Sequence, residues 1–231
     1  MKSSALPACW LGSAGPDAAL RSSLYIVVPV RGEGSGKSRL RSVLDPVQRA
    51  RLNRALLLGT LTAIERWQGT LARCLVVSAC PRSLSTARRR GANPVREPLP
   101  RRGLSSAAAL GAKVARLRGA RTILILPCDL PLVSDAALQE LLVPVRMGAR
   151  AVVAADRAGS GTNALLLPGA IGVRFEYGPD SFADHVRGLR ARGWDLAVCA
   201  HPHLQFDLDT PEDLAAMPAA LGDRLRDGWM V

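Results

Sequence analysis

Ile123-Leu124-Ile125-Leu126-Pro127-Cys128-Asp129-Leu130-Pro131-Leu132 sets the architecture of this chain. Four consecutive aliphatic residues read as a strand buried on both faces, the condition of a strand inside a parallel sheet. Pro127 has no N–H to give the ladder, so the strand stops near it. Asp129 then stands just beyond the strand's carboxyl end, the rim at which open α/β sheets bind ligands. Ser134 fits an N-cap for a helix over Asp135 to Val143. One carboxylate on a short, proline-stiffened turn suits a divalent cation, and it would serve equally to cap the turn.

Upstream, Leu24 to Val30 is an apolar run and the first strand. The loop Arg31-Gly32-Glu33-Gly34-Ser35-Gly36-Lys37-Ser38-Arg39 follows. It approaches a P-loop but fails at a defining position, because Arg31 stands where that motif requires its first glycine. The physics of the loop survives: glycines let backbone N–H groups approach an anion, and Lys37 and Arg39 bring charge. Asp45-Pro46 opens a helix whose face Leu52, Ala55, Leu56, Gly59, Thr60, Ala63 and Trp67 packs on the core. Cys74 to Ala79 is a second strand, Pro81 to Arg90 a basic helix, and Asn93 to Arg96 a short third strand. Gly103 to Ser106 starts the helix Ala107 to Leu117. Alternating strand and helix argues a right-handed, mostly parallel sheet.

The second half departs from that alternation. Strands Ala151 to Ala155 and Ala164 to Leu167 flank the polar loop 156–163 and form a hairpin or a mixed part of the sheet. Gly178-Pro179-Asp180-Ser181 opens a helix over Phe182 to Arg192 that Gly193 ends; such an N-terminus favours a phosphate. His185 is expected on that helix's surface. Trp194 to Ala200 is a further strand, and His201-Pro202-His203 a loop. In Phe206-Asp207-Leu208-Asp209-Thr210-Pro211, Asp207 and Asp209 share a face, and Thr210-Pro211 starts a helix. These two carboxylates can complete a magnesium site with Asp129.

The whole chain, 231 residues, suits one α/β domain, with 48% hydrophobic residues to build the core and few aromatics, 4%. No apolar run reaches the roughly 18 residues of a membrane span. The net charge is +12, but only Lys2, Lys37 and Lys113 are lysines and the arginines are scattered. A nucleic-acid face would need clustering and usually interleaved aromatics, and an anionic small-molecule substrate fits the surplus equally well. Cys9, Cys74, Cys80, Cys128 and Cys199 form no C-x-x-C pair, and Cys74, Cys128 and Cys199, in or beside apolar strand-like runs, read as small buried hydrophobes in a reducing compartment. Residues 1–23 read as a loosely ordered extension, 24–217 as the domain, and 218–231 as a tail. The expected location is cytoplasmic.

Five pieces occur in one order: Val27-Val28-Pro29-Val30 with Lys37-Ser38-Arg39-Leu40; Pro127-Cys128-Asp129-Leu130-Pro131-Leu132; Gly159-Ser160-Gly161-Thr162-Asn163-Ala164; Tyr177-Gly178-Pro179-Asp180-Ser181-Phe182; and Asp207-Leu208-Asp209-Thr210-Pro211-Glu212-Asp213-Leu214. From Leu24 to Met217 the chain thus resembles the guanylyltransferases of coenzyme F-420 (deazaflavin) biosynthesis, which are similar to molybdopterin guanylyltransferases. The resemblance implies a single three-layer, Rossmann-like GT-A nucleotidyltransferase domain with a mostly parallel mixed sheet. It implies joining of GTP to 2-phospho-L-lactate, phosphoenolpyruvate or 3-phospho-D-glycerate, with release of pyrophosphate. By the same resemblance Asp129 and Asp209 hold Mg²⁺, with Asp207 as support or third ligand. Thr162, Gly178 and Ser181 hold the acceptor's phosphate and Arg31 steadies the acceptor. Lys37 and Arg39, with Gly32, Gly34 and Gly36, hold the triphosphate, and Ser105 meets guanine or ribose. Relatives carry lysine where Arg31 stands and Leu-Asn in place of Leu104-Ser105. The implied partners are GTP, the phospho-acid and a downstream deazaflavin transferase, with the enzyme a monomer or homodimer. Competing readings are a P-loop-like kinase or NTPase on Gly36-Lys37-Ser38, another sugar-phosphate or molybdopterin-type nucleotidyltransferase, and a non-catalytic nucleic-acid binder.

Overall fold

A computed structural model of the chain describes residues 16–31, 37–100, 103–169, 172–219 and 221. Gly32, Gly34 and Gly36, expected at the triphosphate, lie outside the described residues, as does most of the expected tail.

The aliphatic runs become the strands of one seven-stranded sheet: β1 (Leu24–Pro29), β2 (Cys74–Ser78), β3 (Asn93–Arg96), β4 (Thr122–Ile125), β5 (Ala151–Ala155), β6 (Thr162–Pro168) and β7 (Leu196–Val198), in the order β3-β2-β1-β4-β6-β5-β7. Only β6 runs against its neighbours: it pairs antiparallel with β4 and β5, while all other pairs are parallel. The mostly parallel sheet with a mixed second half is therefore as expected.

Helices cover both faces of the sheet. The chain contributes α1 (Pro16–Ser23), α2 (Pro46–Gln68), α3 (Pro81–Arg89), α4 (Leu104–Leu117), α5 (Asp135–Glu140), α6 (Val143–Arg146), α7 (Ser181–Arg190), α8 (Pro202–Gln205) and α9 (Pro211–Ala216), with a 3-10 turn at Ser38–Ser42. Ile26, Val28, Val76, Leu124 and Leu166 meet α2 and α5 on one face through Leu57, Leu61, Ile64 and Leu138. Val27, Val77, Ile125, Val153 and Leu165 meet α4 and α7 on the other through Ala108, Ala112 and Leu189. Successive strand residues point to opposite faces, so a run with no polar member is what a two-sided core demands. A third cluster, Leu40, Leu44, Leu52, Leu56, Leu208 and Met217, packs the 3-10 turn and α9 against α2. Each fully buried Leu in it contributes roughly 1.5–3 kcal/mol.

Local signals fix the ends. Asp45 accepts from the Gln48 N–H at 2.8 Å while the Gln48 side chain accepts from the Asp45 N–H at 2.9 Å, a reciprocal cap for α2. Gly111 of α4 sits so close to β1 that an added Cβ would lie 2.2 Å from Val27 Cγ1. Three expectations change. Residues 16–23 of the expected loose extension form α1, tied by Arg21 Nη1 to the Trp67 carbonyl at 2.9 Å; residues 1–15 lie outside the described residues. The helix from Asp135 stops at Glu140, and a separate α6 carries Pro144 in its first turn, where a missing N–H costs nothing. The His201-to-His203 segment is the start of α8, with the His201 ring accepting from the His203 N–H at 3.1 Å.

Candidate active site

The carboxyl ends of β1, β4 and β5 reach one rim of the sheet, and the reversed β6 starts there. Strand order turns back between β1 and β4, the place where open α/β sheets form a crevice. A cleft of about 840 Å³ opens at this rim. Asp129 and Lys37 reach it from the connections after β4 and β1, Thr162 from the start of β6, and Ser181 from the start of α7.

Asp129 and Asp209 meet because the chain before α9 is fastened to the end of β4. The Leu208 N–H donates to the Asp129 carbonyl at 3.0 Å, and the Leu208 side chain is fully buried. Thr210 and Asp213 then cap α9 reciprocally, which fixes the direction in which Asp209 projects. Between the two carboxylates lies the Lys37 ammonium, 2.8 Å from Asp209 Oδ1 and 3.4 Å from Asp129 Oδ2. Burial works against the charged ammonium, but Asp129 and Asp209 outweigh it and hold its pKa above the ordinary lysine value. Lys37 itself has a left-handed backbone, φ 57°, which turns the chain from the loop into the 3-10 turn.

Asp207 lines the same cleft. Burial, then the nearby Asp129 and Asp209 carboxylates, push its pKa up to about 6. Among the described residues no group of three or more His, Cys, Asp or Glu side chains is gathered closely enough to hold a metal ion. Asp207 is thus not drawn into a three-carboxylate ligand set; the structure brings together the pair Asp129 and Asp209. Both carboxylates lie within reach of one cation, and a third resists ionising beside them, so the site carries more negative charge than Lys37 neutralises. Hard oxygen donors with surplus negative charge fit a divalent cation.

A second wall is made of hydroxyls. Thr162 and Ser181 are both buried, and the Ser181 hydroxyl donates to Thr162 Oγ1 at 3.4 Å. Gly178 and Pro179 continue this wall. His185 is buried, not on the helix surface as expected. Its Nδ1 lies 3.0 Å from Thr162 Oγ1 and its Nε2 accepts from the Glu176 N–H at 3.0 Å. Ser181, His185 and Leu189 recur every four residues along one face of α7, and that spacing was the signal for burial. Ser105, expected at guanine or ribose, donates to the Tyr177 carbonyl at 3.3 Å and accepts from the Tyr177 N–H at 2.9 Å. Both functions of its hydroxyl are thus occupied by the wall segment.

Arg31 and Arg39 line the cleft and are solvent-exposed. Several further residues at the site were missed. Arg157 pairs with Asp213 and stacks 4.4 Å from the Phe206 ring centre, tying the β5–β6 turn to α9. The Phe182 N–H donates to the Ser160 carbonyl at 2.9 Å, tying that turn to α7. Asn53 and Tyr177 also line the cleft, and Asn53 Nδ2 and the Tyr177 hydroxyl are buried with no hydrogen-bond partner among the described residues. Sequence periodicity places Asn53 on a core helix and gives no hint of a cleft.

A doubly covered, mostly parallel sheet thus carries paired carboxylates and a lysine at its switch point, facing a hydroxyl-lined helix start, and its family and relatives make it a nucleotidyltransferase. A protein described as a nucleotide-diphospho-sugar transferase of Desulfovibrio desulfuricans G20 shares the fold, with a TM-score of 0.71 at 15% identity over 89% of this chain and 94% of that one. Residues 24–219 match the family described as "Guanylyl transferase CofC like", and the chain belongs to that family. It is 44% identical to a phosphoenolpyruvate guanylyltransferase of Rubrobacter xylanophilus over 88% of this chain and 98% of that protein. It is 34% identical to a 3-phospho-D-glycerate guanylyltransferase of Phenylobacterium zucineum over 81% of this chain and 86% of that protein. Family membership sets aside the kinase and nucleic-acid readings. Among the described residues no helix is long and apolar enough to cross a membrane.

Proposed function

We propose that this cleft transfers the guanylyl group of GTP to phosphoenolpyruvate, releasing pyrophosphate, and that the product feeds the side chain of coenzyme F-420 through a downstream deazaflavin transferase. The observation that carries this is the meeting of Asp129 and Asp209 around Lys37 in the same cleft as the hydroxyls of Thr162 and Ser181. The acid is taken from the relative at 44% identity, and 3-phospho-D-glycerate is the alternative that a relative's name supports.

An acceptor phosphate oxygen is already anionic, so it needs no general base. Its new bond to the α-phosphorus forms as the bond from that phosphorus to the bridging oxygen breaks, and the electron pair leaves with pyrophosphate. The barrier is repulsion between anions, so positioning and charge neutralisation supply the catalysis. Asp129 and Asp209, supported by Asp207, would hold Mg²⁺, which when bound supplies positive charge to the reacting phosphates. Lys37 and Arg39 hold the triphosphate and the departing pyrophosphate. Arg31, Thr162, Ser181 and the start of α7 at Gly178 hold the acceptor. The Ser181 and Phe182 N–H groups at the start of α7 already donate to the Gly178 and Ser160 carbonyls, so the acceptor's phosphate is met there by the hydroxyl side chains.

The test is incubation with GTP and Mg²⁺ plus each acid separately, reading pyrophosphate and the mass of the conjugate. A guanosine conjugate of phosphoenolpyruvate is expected. Release of inorganic phosphate from GTP without any conjugate would refute guanylyl transfer.

A further inference from the structure

We propose that His185 is a positioning residue which fixes Thr162 as a hydrogen-bond donor into the cleft, aimed at an anionic oxygen of the acceptor's phosphate. The inference rests on the reading of Thr162 as an acceptor-phosphate contact. It begins with a donor that cannot change role: the Glu176 backbone N–H points at His185 Nε2 from 3.0 Å, so Nε2 is the bare nitrogen of the ring. Burial lowers the His185 pKa and favours the neutral imidazole, although Glu176, Asp184 and a hydrogen bond to the Ser181 backbone oppose this. A neutral ring with bare Nε2 carries its proton on Nδ1. Nδ1 therefore donates to Thr162 Oγ1, at 3.0 Å.

Thr162 receives a second hydrogen bond, from the Ser181 hydroxyl at 3.4 Å. A hydroxyl has two acceptor lone pairs and one proton. With both lone pairs engaged, Thr162 can only donate, and it lines the cleft where an acceptor would lie. An ionised phosphate oxygen accepts and never donates, so it matches that donor; an oxygen presenting its proton to Thr162 does not. The same imidazole pins the cleft wall through Glu176, and its edge meets the Tyr177 ring at 4.9 Å.

Two measurements test this. In protein labelled with ¹⁵N-histidine, the His185 resonances should report protonated Nδ1 and bare Nε2 at neutral pH; the opposite tautomer overturns the proposal whatever the substrate. Kinetics then separates it from the reading beneath it. Thr162→Val should raise the acceptor KM roughly tenfold, the scale of one lost charge-assisted hydrogen bond, and leave the GTP KM in place. If Thr162→Val leaves the acceptor KM unchanged, the reading of Thr162 fails, while the tautomer result still stands or falls alone. His185→Gln, which keeps an acceptor for Glu176 but loses the Nδ1 donor, should raise acceptor KM as Thr162→Val does. It should add little in the Thr162→Val background. His185→Asn, with an amide N–H near the Nδ1 position, should recover most of the loss. Equal defects in the Asn and Gln variants, or full additivity with Thr162→Val, would overturn the proposal.

Discussion

Replacing Asp207 by asparagine should make the metal-free protein more stable at neutral pH and leave its stability unchanged in acid. The Asp207 carboxyl titrates at about 6 in the fold, against 3.8 for the free side chain, because burial and the Asp129 and Asp209 charges disfavour its ionised form. Between these two values the native chain holds a proton that the unfolded chain has released, so stability falls as pH rises through the window. Above it the penalty is fully present; below about pH 4 it vanishes. A shift of roughly two units corresponds to about 3 kcal/mol as a ceiling. Asp207 is only half-buried at the cleft wall, and solvent screening brings the expected gain from Asp207→Asn to about 1–1.5 kcal/mol. For a chain of this size that is roughly 2–6 °C in Tm. The assay is thermal unfolding of wild type and Asp207→Asn at about pH 4 and about pH 7.5, in chelator and then in millimolar Mg²⁺. The gap should open only at the higher pH, and Mg²⁺ should narrow it by stabilising the wild type more. A variant less stable than wild type at about pH 7.5, or a gap equal at both pH values, would refute the electrostatic account.

Other outcomes follow from the same geometry. Asp129→Asn should lower turnover by orders of magnitude in Mg²⁺ with an unchanged Tm, read by pyrophosphate release and thermal unfolding; turnover close to wild type would remove Asp129 from the mechanism. Lys37→Met leaves the Asp129 and Asp209 carboxylates facing one another without the ammonium between them, so steady-state kinetics should show kcat falling more than the acceptor KM changes. Acidification should weaken acceptor binding with a midpoint below 6.5, because burial lowers the His185 pKa and the added proton would sit on Nε2, against the Glu176 N–H; a pH titration of acceptor KM checks it. Gly111→Ala should destabilise the fold by about 1–3 kcal/mol in denaturant unfolding, since the new methyl meets Val27 at 2.2 Å and Val77 at 2.9 Å.

Strands buried on both faces were legible because nothing but aliphatic side chains tolerates that position, and β1, β2, β4 and β5 stand close to where their runs place them. The edge strand was not: Trp194 to Ala200 shrinks to Leu196–Val198, and Val198 is exposed, so hydrophobicity there did not mean a long ladder. Caps carried position well, since Asp45, Ser134 and Thr210 each accept from a backbone N–H three residues on. The acidic pair was legible from spacing and chain order. What sequence withheld were contacts between distant segments: Lys37 seated between the two aspartates, the Ser105 hydroxyl given to the Tyr177 backbone, and Arg157 joined to Asp213. Each depends on how loops fold over one another, and no local period encodes that.

The single reversed strand has a consequence for how the two sides of the cleft are joined. A parallel strand delivers only its final residues to the ligand rim, so any change there also alters the helix that follows. β6 arrives head first, and Thr162 enters the cleft from the stiff start of a strand whose remaining residues are locked between β4 and β5. The short turn 156–161 ahead of it is fastened on both sides, by Arg157 to Asp213 of α9 and by Ser160 to Phe182 of α7, so a change in that turn is felt at Asp209 and at the hydroxyl wall together. The two sides of the cleft share one hinge pin.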